Sequence, residues 1–375
     1  MHKPRIKSVF PPIPVGGGVI RIGGSDHGLA AEIQDDEQGH VMTALSLVDG
    51  SRTTAEVVEA MLASDPELTP SDVNGLLDDL AANGYLEDAA VSPPAELTDQ
   101  ELERYRRNLD FFNYFAVQPV TSYDYQLRLK NSRVTVLGLG GLGSYVALSL
   151  AAAGVGDLLL VDDDVVEPSN LNRQVLYTGR DIGRRKTDAA EERLREVNPH
   201  INVTALNFRV SDTKDAEACM TGRDLLVCAA DRPRIRIYRW LNEAAIRTLT
   251  PWVRGANDGL TVRMFLHAPG RTACFECGQA RAHRELAWYG AAQRYAMEVI
   301  GDRTVNPCTS PVAGLIGNLV ALEVVKYLTG VEVPASLGHG LSFDLRSLTI
   351  SRTEGERQPE CPACSSLFAL AGAPR

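Results

Sequence analysis

Residues 133–162 constrain the fold more than any other stretch of the chain. Arg133-Val-Thr-Val-Leu-Gly138-Leu-Gly140-Gly141-Leu-Gly143 is a β-branched run entering a glycine-rich turn, and an Ala/Leu-rich helix follows directly. A second apolar run, Leu158 to Val161, ends in Asp162, nineteen residues after Gly143. Strand, turn, helix and strand in this order make a mononucleotide-binding βαβ unit with parallel strands. Glycines at 138, 140, 141 and 143 let backbone N–H groups and the helix N-terminus face one spot, and phosphate belongs there. Asp162 stands at the separation at which a carboxylate meets a ribose hydroxyl.

Read only as far as Gly143, the unit suits NAD as well as ATP. The chain then adds Arg173, Lys186 and, after another apolar strand (Leu225 to Ala229), Asp231. Two cations and extra acids suit a triphosphate with Mg²⁺. Arg and Lys neutralise the β- and γ-phosphates, and Asp164 or Asp231 can hold the bridging metal.

Gly-Leu-Gly-Gly-Leu-Gly, Asp162-x-Asp164, Ser-Asn170-Leu-x-Arg173-Gln174, Gly183-x-x-Lys186, Asn198-Pro-His and Ala230-Asp231 together resemble the ThiF/MoeB/ubiquitin-activating-enzyme superfamily of adenylating enzymes over residues 100–365. The resemblance implies that the glycine loop and Asp162 hold ATP, that Asn170, Arg173, Gln174 and Lys186 surround the phosphates, and that Asp231 is the magnesium and catalytic aspartate. Upstream, Glu103-Arg104-Tyr105-Arg106-Arg107 resembles the Arg-Tyr-x-Arg segment of these proteins. By that likeness Arg107 reaches across a homodimer interface to the partner's triphosphate; read without it, 100–107 is a charged helix face.

The 375 residues suffice for two or three domains, and 44% hydrophobic with 23% charged residues is the balance of a soluble globular protein. No stretch approaches eighteen uninterrupted apolar residues, and Met-His-Lys-Pro-Arg-Ile-Lys lacks an apolar signal core. A cytoplasmic protein with no membrane contact is expected. Of the net charge of −10, all lies in residues 1–93, which hold five Lys/Arg against fifteen Asp/Glu. That acidic segment would repel nucleic acid, whose binding rests on Lys and Arg.

Residues 1–93 read as a separate winged-helix-like α+β module: strands at Val19 to Ile22 and around Leu29 to Ile33, a helix near 41–48, a second helix opened by the capping sequence Thr53-Thr54-Ala-Glu56, and a third after Thr69-Pro70-Ser71. Ser92-Pro93-Pro94 reads as the linker to a Rossmann-like α/β domain with a mainly parallel sheet over 94–375. Leu45-x-x-Val48-Asp49-Gly50 and Asn83-Gly84-Tyr85-Leu86 are similar to PqqD-type modules, and the whole architecture to the microcin C and pantocin maturation enzymes. That likeness implies a leader peptide gripped as an added strand at a sheet edge.

Cys274-Phe-Glu-Cys277 and Cys361-Pro-Ala-Cys364 are two Cys-x-x-Cys knuckles 84 positions apart. Paired knuckles suit a closed, structural Zn²⁺ site better than redox chemistry. Cys308 precedes Pro311 and a buried-looking helix, so a chemical role is open, while Cys219 and Cys228 read as buried thiols. Residues 279–307, rich in Arg and aromatics, form either a substrate lid or a solvated helical excursion. The reaction expected is attack of a carboxylate on the α-phosphate of ATP, giving an acyl-adenylate and pyrophosphate. With the N-terminal module the acyl donor is a ribosomal precursor peptide. The alternatives are the C-terminal glycine of a ubiquitin-like sulfur carrier protein, and a non-catalytic adaptor that presents leader peptide to a cyclodehydratase.

Overall fold

The computed structural model describes residues 1–23, 31–300 and 307–370. The chain divides into two compact units, Met1–Leu127 and Arg128–Arg375. The first holds β1 (Pro4–Ile6), β2 (Pro12–Gly16), β3 (Val19–Ile22), β4 (Ala31–Gln34), α1 (His40–Leu47), α2 (Thr54–Ser64), α3 (Pro70–Ala82), β5 (Leu86–Asp88), α4 (Asp99–Arg104) and α5 (Arg106–Asn113), with α6 (Ser122–Lys130) leading into the second. β1 pairs with β5, and β2, β3 and β4 form an antiparallel sheet in that order. Thr53 and Glu56 make the expected capping box on α2, and Thr69 and Asp72 repeat it on α3. The apolar stripes that follow those caps (Val57, Met61, Val73, Leu77, Leu80) bury themselves with Phe10, Ile20, Ile22 and Leu86 in one core.

The compact unit therefore runs past Ser92-Pro93-Pro94. Lys7 is almost wholly buried, and its ammonium donates to the carbonyl of Asn113 at 3.0 Å and to that of Ala116. These are orphan carbonyls at and beyond the end of α5, so the first strand caps a helix a hundred residues on. Burial lowers the Lys7 pKa to about 8. Phe10 packs edge-on against both Tyr85 and Tyr114.

The second unit contains β6 (Arg133–Leu137), α7 (Gly141–Ala153), β7 (Asp157–Asp162), α8 (Lys186–Val197), β8 (Asn202–Asn207), α9 (Thr213–Met220), β9 (Leu225–Cys228), α10 (Arg236–Thr248), β10 (Trp252–Asp258), β11 (Thr261–His267), α11 (Phe275–Glu285), α12 (Tyr289–Tyr295), α13 (Ser310–Thr329), β12 (His339–Asp344), β13 (Thr349–Glu354) and α14 (Ser365–Leu370). Its eight strands run β13-β12-β11-β10-β9-β6-β7-β8. β8, β7, β6, β9 and β10 are parallel, and β11, β12 and β13 extend the sheet antiparallel. The parallel strands are continuous apolar runs, as burial on both faces requires: Leu158 to Val161 and Leu225 to Cys228 are all buried. Strand order reverses at β6, between β7 and β9, and that switch point is where such sheets bind ligands.

α13 is the one helix among the described residues long and apolar enough to cross a bilayer, yet half of it is buried inside the unit. It lies on α7, where a Cβ on Gly317 would come within 2.6 Å of Tyr145 Cβ.

The turn after β6 is shaped by two glycines. Gly138 has φ +90°, and a Cβ there would meet Ala230 N at 2.7 Å. A Cβ on Gly143 would lie 1.8 Å from the Gly138 carbonyl oxygen. Gly143→Ala should therefore lower stability by about 3 kcal/mol in urea denaturation, since backbone must move. Gly140 has ordinary φ (−73°) and nothing nearer than 3.9 Å, so Gly140→Ala should stay within about 1 kcal/mol of the parent.

Candidate active site

A cleft of about 710 Å³ opens at the switch point. Gly138, Gly140 and Gly141 line it, with Asp162, Asp164, Asn170, Arg173, Gln174, Lys186 and Asp231. Ten of the sequence-derived residues thus converge. α7 starts here with no side chain capping it, so its first N–H groups are left for a ligand. Gly143 is a correction: it does not line the cleft but is buried in α7, where its missing side chain lets the helix approach the Gly138 carbonyl.

Asp162 ends β7. One carboxylate oxygen accepts from the Leu139 N–H at 2.6 Å, and the other from the Asp164 N–H at 2.8 Å. Burial pushes its pKa up, and the Lys186 charge with these two N–H groups works against that. Tyr177, also buried, donates its hydroxyl to the Leu139 carbonyl at 3.0 Å. The acid and the turn are therefore joined by short bonds before any nucleotide arrives.

Lys186 opens α8, and its ammonium lies 2.7 Å from Asp164 Oδ2. The lysine side chain is 6% exposed and the aspartate 66%, so the cation is fixed by the protein and its partner stands in solvent. Asn170 is buried and accepts from the Glu167 N–H at 3.1 Å. Arg173 donates at 2.9 Å to both the Ser169 carbonyl and Asn172 Oδ1. Gln174 is 3% exposed, and its Oε1 has no partner. A buried polar atom left unpaired is costly, which makes Gln174 a group waiting for a ligand.

Several cleft residues carry no motif in the sequence. Phe208 follows β8 and donates its N–H to the Asp162 carbonyl at 3.2 Å, while Arg209 stands 3.7 Å from Asp163. Asn257, on β10, donates to the Pro307 carbonyl at 2.8 Å and leaves its Oδ1 buried without a partner. None belongs to a motif, because each comes to the cleft from a strand paired far along the chain. Cys308 also lines the cleft, and burial raises its pKa while Arg173 opposes the rise. Cys219 and Cys228 are buried thiols, pushed by burial to about 11 and about 12.

Arg107 lies in the first unit, not among the cleft-lining residues. Its side chain is 84% exposed and pairs with Asp110 at 3.0 Å. Of residues 279–307, the described part is the end of α11, α12 and one π-helical turn (Ala296–Ile300), with Trp288 and Tyr295 exposed. Arg303 and Asn306 lie outside the described residues.

The four knuckle cysteines meet. Sγ separations are 3.8 Å for Cys274–Cys277, 3.6 Å for Cys274–Cys361 and 3.5 Å for Cys277–Cys364, all buried. A disulfide needs about 2.0 Å. A tetrahedron of sulfurs with metal–sulfur bonds of about 2.3 Å has edges of about 3.8 Å, so the cluster has the dimensions of a Zn²⁺ site. Cys277 is drawn toward thiolate by hydrogen bonds from neighbouring thiols and from the Gln358 N–H at 3.4 Å.

A profile of the ThiF family matches residues 111–363. The chain belongs to the ThiF family. Among its ThiF-family relatives, it is 34% identical over 277 residues to the sulfur carrier protein ThiS adenylyltransferase of Escherichia coli K12, covering 72% of this chain and 97% of that one. It is 31% identical to the molybdopterin-synthase adenylyltransferase of the same organism, covering 72% and 99%. Of solved structures, E. coli MccB with AMPCPP and MccA superposes with a TM-score of 0.76 over 97% of this chain and all of that one, at 22% identity. PaaA superposes with a TM-score of 0.73 over 93% and 99%, at 26% identity. The protein is an ATP-dependent adenylyltransferase of the ThiF type, with the Rossmann-like α/β fold of MccB.

Proposed function

We propose that this adenylyltransferase activates a carboxylate of a ribosomally made precursor peptide, gripped through a PqqD-like N-terminal module, during maturation of a natural product. The observation that carries the reading is the extra unit. ThiS and molybdopterin-synthase adenylyltransferases match 72% of the chain yet nearly all of themselves, and the ThiF family match begins only at residue 111. MccB, solved with MccA, and PaaA cover almost all of it. The β2-β3-β4 sheet supplies a docking edge on one side only. Pro12 and Pro14 share one side of β2, where strand prolines face outward, so the β2 edge lacks two donors. β4 has no proline and offers its N–H groups to an added strand.

In the reaction, a carboxylate oxygen attacks the α-phosphorus of ATP, the α–β bridging bond breaks, and pyrophosphate leaves. The α7 N-terminus and the glycine turn hold phosphate, and Asp162 accepts from the ribose. Asn170 and Gln174 complete the phosphate site. Arg173 and Lys186 cancel charge on the departing pyrophosphate. Asp231, helped by Asp164, would hold Mg²⁺, which supplies charge neutralisation between the phosphates. Arg107 acts in trans in a homodimer. The cysteine cluster would hold a structural Zn²⁺, which supplies a closed cross-link between the tail and α11.

The sulfur-carrier reading is favoured by the 34% identity to the ThiS enzyme. The adaptor reading needs none of the cleft residues, and here all but Gly143 and Arg107 are assembled.

Full-length protein with Mg·ATP should release pyrophosphate on addition of a precursor peptide, and amide hydrogen exchange in Ala31–Gln34 should slow about tenfold while β2 is unaffected. Release with a ubiquitin-like carrier and with no peptide would sink the reading. Arg107→Ala and Asp231→Ala should each be inactive, and mixing them should restore about a quarter of the sites, since half the dimers then hold one intact site; no recovery contradicts a trans finger. One equivalent of zinc should co-purify, and Cys361→Ser should lose it and melt at lower temperature; retention of the metal with three cysteines would argue against this ligand set.

A further inference from the structure

Arg254 is the third residue of β10, opposite Cys228 of β9 and Phe265 of β11. From Cys228 the chain runs through Ala229 and Ala230 to Asp231. Successive strand residues face opposite sides of the sheet. Gly255 lies against Leu142, Ile316 and Val320 on the α7 and α13 side, so Arg254 stands on the α10 side. There its guanidinium carbon is 5.2 Å from the ring centres of both Tyr238, on α10, and Phe275, on α11.

The residue is half-buried, and among the described residues its side chain makes no hydrogen bond and no ion pair. A cation out of bulk water usually has a carboxylate partner. Here two aromatic rings hold it, which fixes its place but leaves five N–H donors unspent. Asp231 lies three residues beyond Cys228, the residue that Arg254 faces across the strand pair. Burial raises the Cys228 and Tyr238 pKa values, and on both groups Arg254 pulls down while Asp231 pushes up, so both charges act on the same pair of side chains. Arg254 does not line the nucleotide cleft, whose cations are Arg173, Lys186, Arg209 and Arg232. The triphosphate is thus served by four other cations. The acyl donor of this reaction brings a carboxylate, and a planar guanidinium matches one bidentately.

We propose that Arg254 is a specificity-determining residue that binds a carboxylate of the acyl donor and holds the donor beside Asp231. The assignment depends on the adenylyltransferase activity and not on the peptide reading.

The test uses the full-length chain with Mg·ATP and two donors, a random heptapeptide pool with free C-termini and E. coli ThiS, reading pyrophosphate release. Arg254→Met keeps a flexible apolar stem between the rings. It should raise the donor concentration for half-maximal release about tenfold or more, with the ATP KM and the melting temperature unchanged. Arg254→Lys should recover part of the loss, and ~0.5 M salt should raise the parent's donor KM but not that of the Met variant. An unchanged donor KM, a raised ATP KM, or a lowered melting temperature with normal donor KM would overturn the assignment. Release with ThiS alone refutes the peptide reading, and Arg254 is then judged on ThiS. Release with neither donor overturns both.

Discussion

The site depends on one contact between backbones. The Gly138 carbonyl and the first turn of α7 come so close at Gly143 that no side chain fits between them, and Gly138 itself presses on the backbone of Ala229 and Ala230. β6, α7 and the exit of β9 are thereby fixed to one another at van der Waals contact, without a side chain that could choose another rotamer. The phosphate-facing N–H groups and the loop bearing Asp231 inherit their relative position from this packing. A turn held by side chains would lose that register with each rotamer change. A turn held by missing side chains cannot.

On this backbone frame the charges are arranged unequally. Asp162 is buried and bound to two N–H groups, which keeps a desolvated carboxylate oriented although burial disfavours its charge. Lys186 is fixed and hidden, while Asp164 stands in solvent. An ion pair with one exposed member contributes little to stability. Its use in the proposed reaction is positional: the lysine is held for a triphosphate, and the aspartate is free to turn to a metal. Gln174 adds a buried oxygen with nothing to accept from. These features are costly to the fold alone and suit the binding of a nucleotide, as expected where function sets the arrangement.

The sequence reveals what is local. β6, β7 and β9 begin or end within a residue of their apolar runs, and α2 starts at the Thr53 and Glu56 box that announces it. The cysteine square follows from spacing alone. What escapes is whatever joins distant segments without a motif of its own, such as the paired Cys-x-x-Cys knuckles provide. Ser92-Pro93-Pro94 has the composition of a linker, but Lys7 reaches the end of α5 and carries residues 94–127 into the first unit. Gly143 sits in a glycine motif whose members look alike in one dimension, and only the Gly138 carbonyl distinguishes packing from phosphate contact. Asn257, Phe208 and Arg254 depend on which strand lies beside which, and β10 becomes a neighbour of β9 only once the crossover through α10 has closed.

The knuckles and the cleft meet through one ring. Cys274 caps α11, and the next residue, Phe275, donates its N–H to Asn242 of α10 at 2.8 Å and packs with Tyr238 and Trp252. Its ring is also one of the two beneath Arg254. Trp252 stacks in turn on His267, whose Nδ1 faces the Ala273 carbonyl at 3.1 Å and whose pKa burial lowers to about 3. That histidine stays neutral, so no second cation competes inside the aromatic cluster. A metal closing the long loop between Cys277 and Cys361 would remove far more freedom from the unfolded chain than from the fold. The gain would fall on α11, and through Phe275 on the surface that carries Arg254. A metal held by the four cysteines would clasp the tail and also support a ring stack one strand away from Asp231.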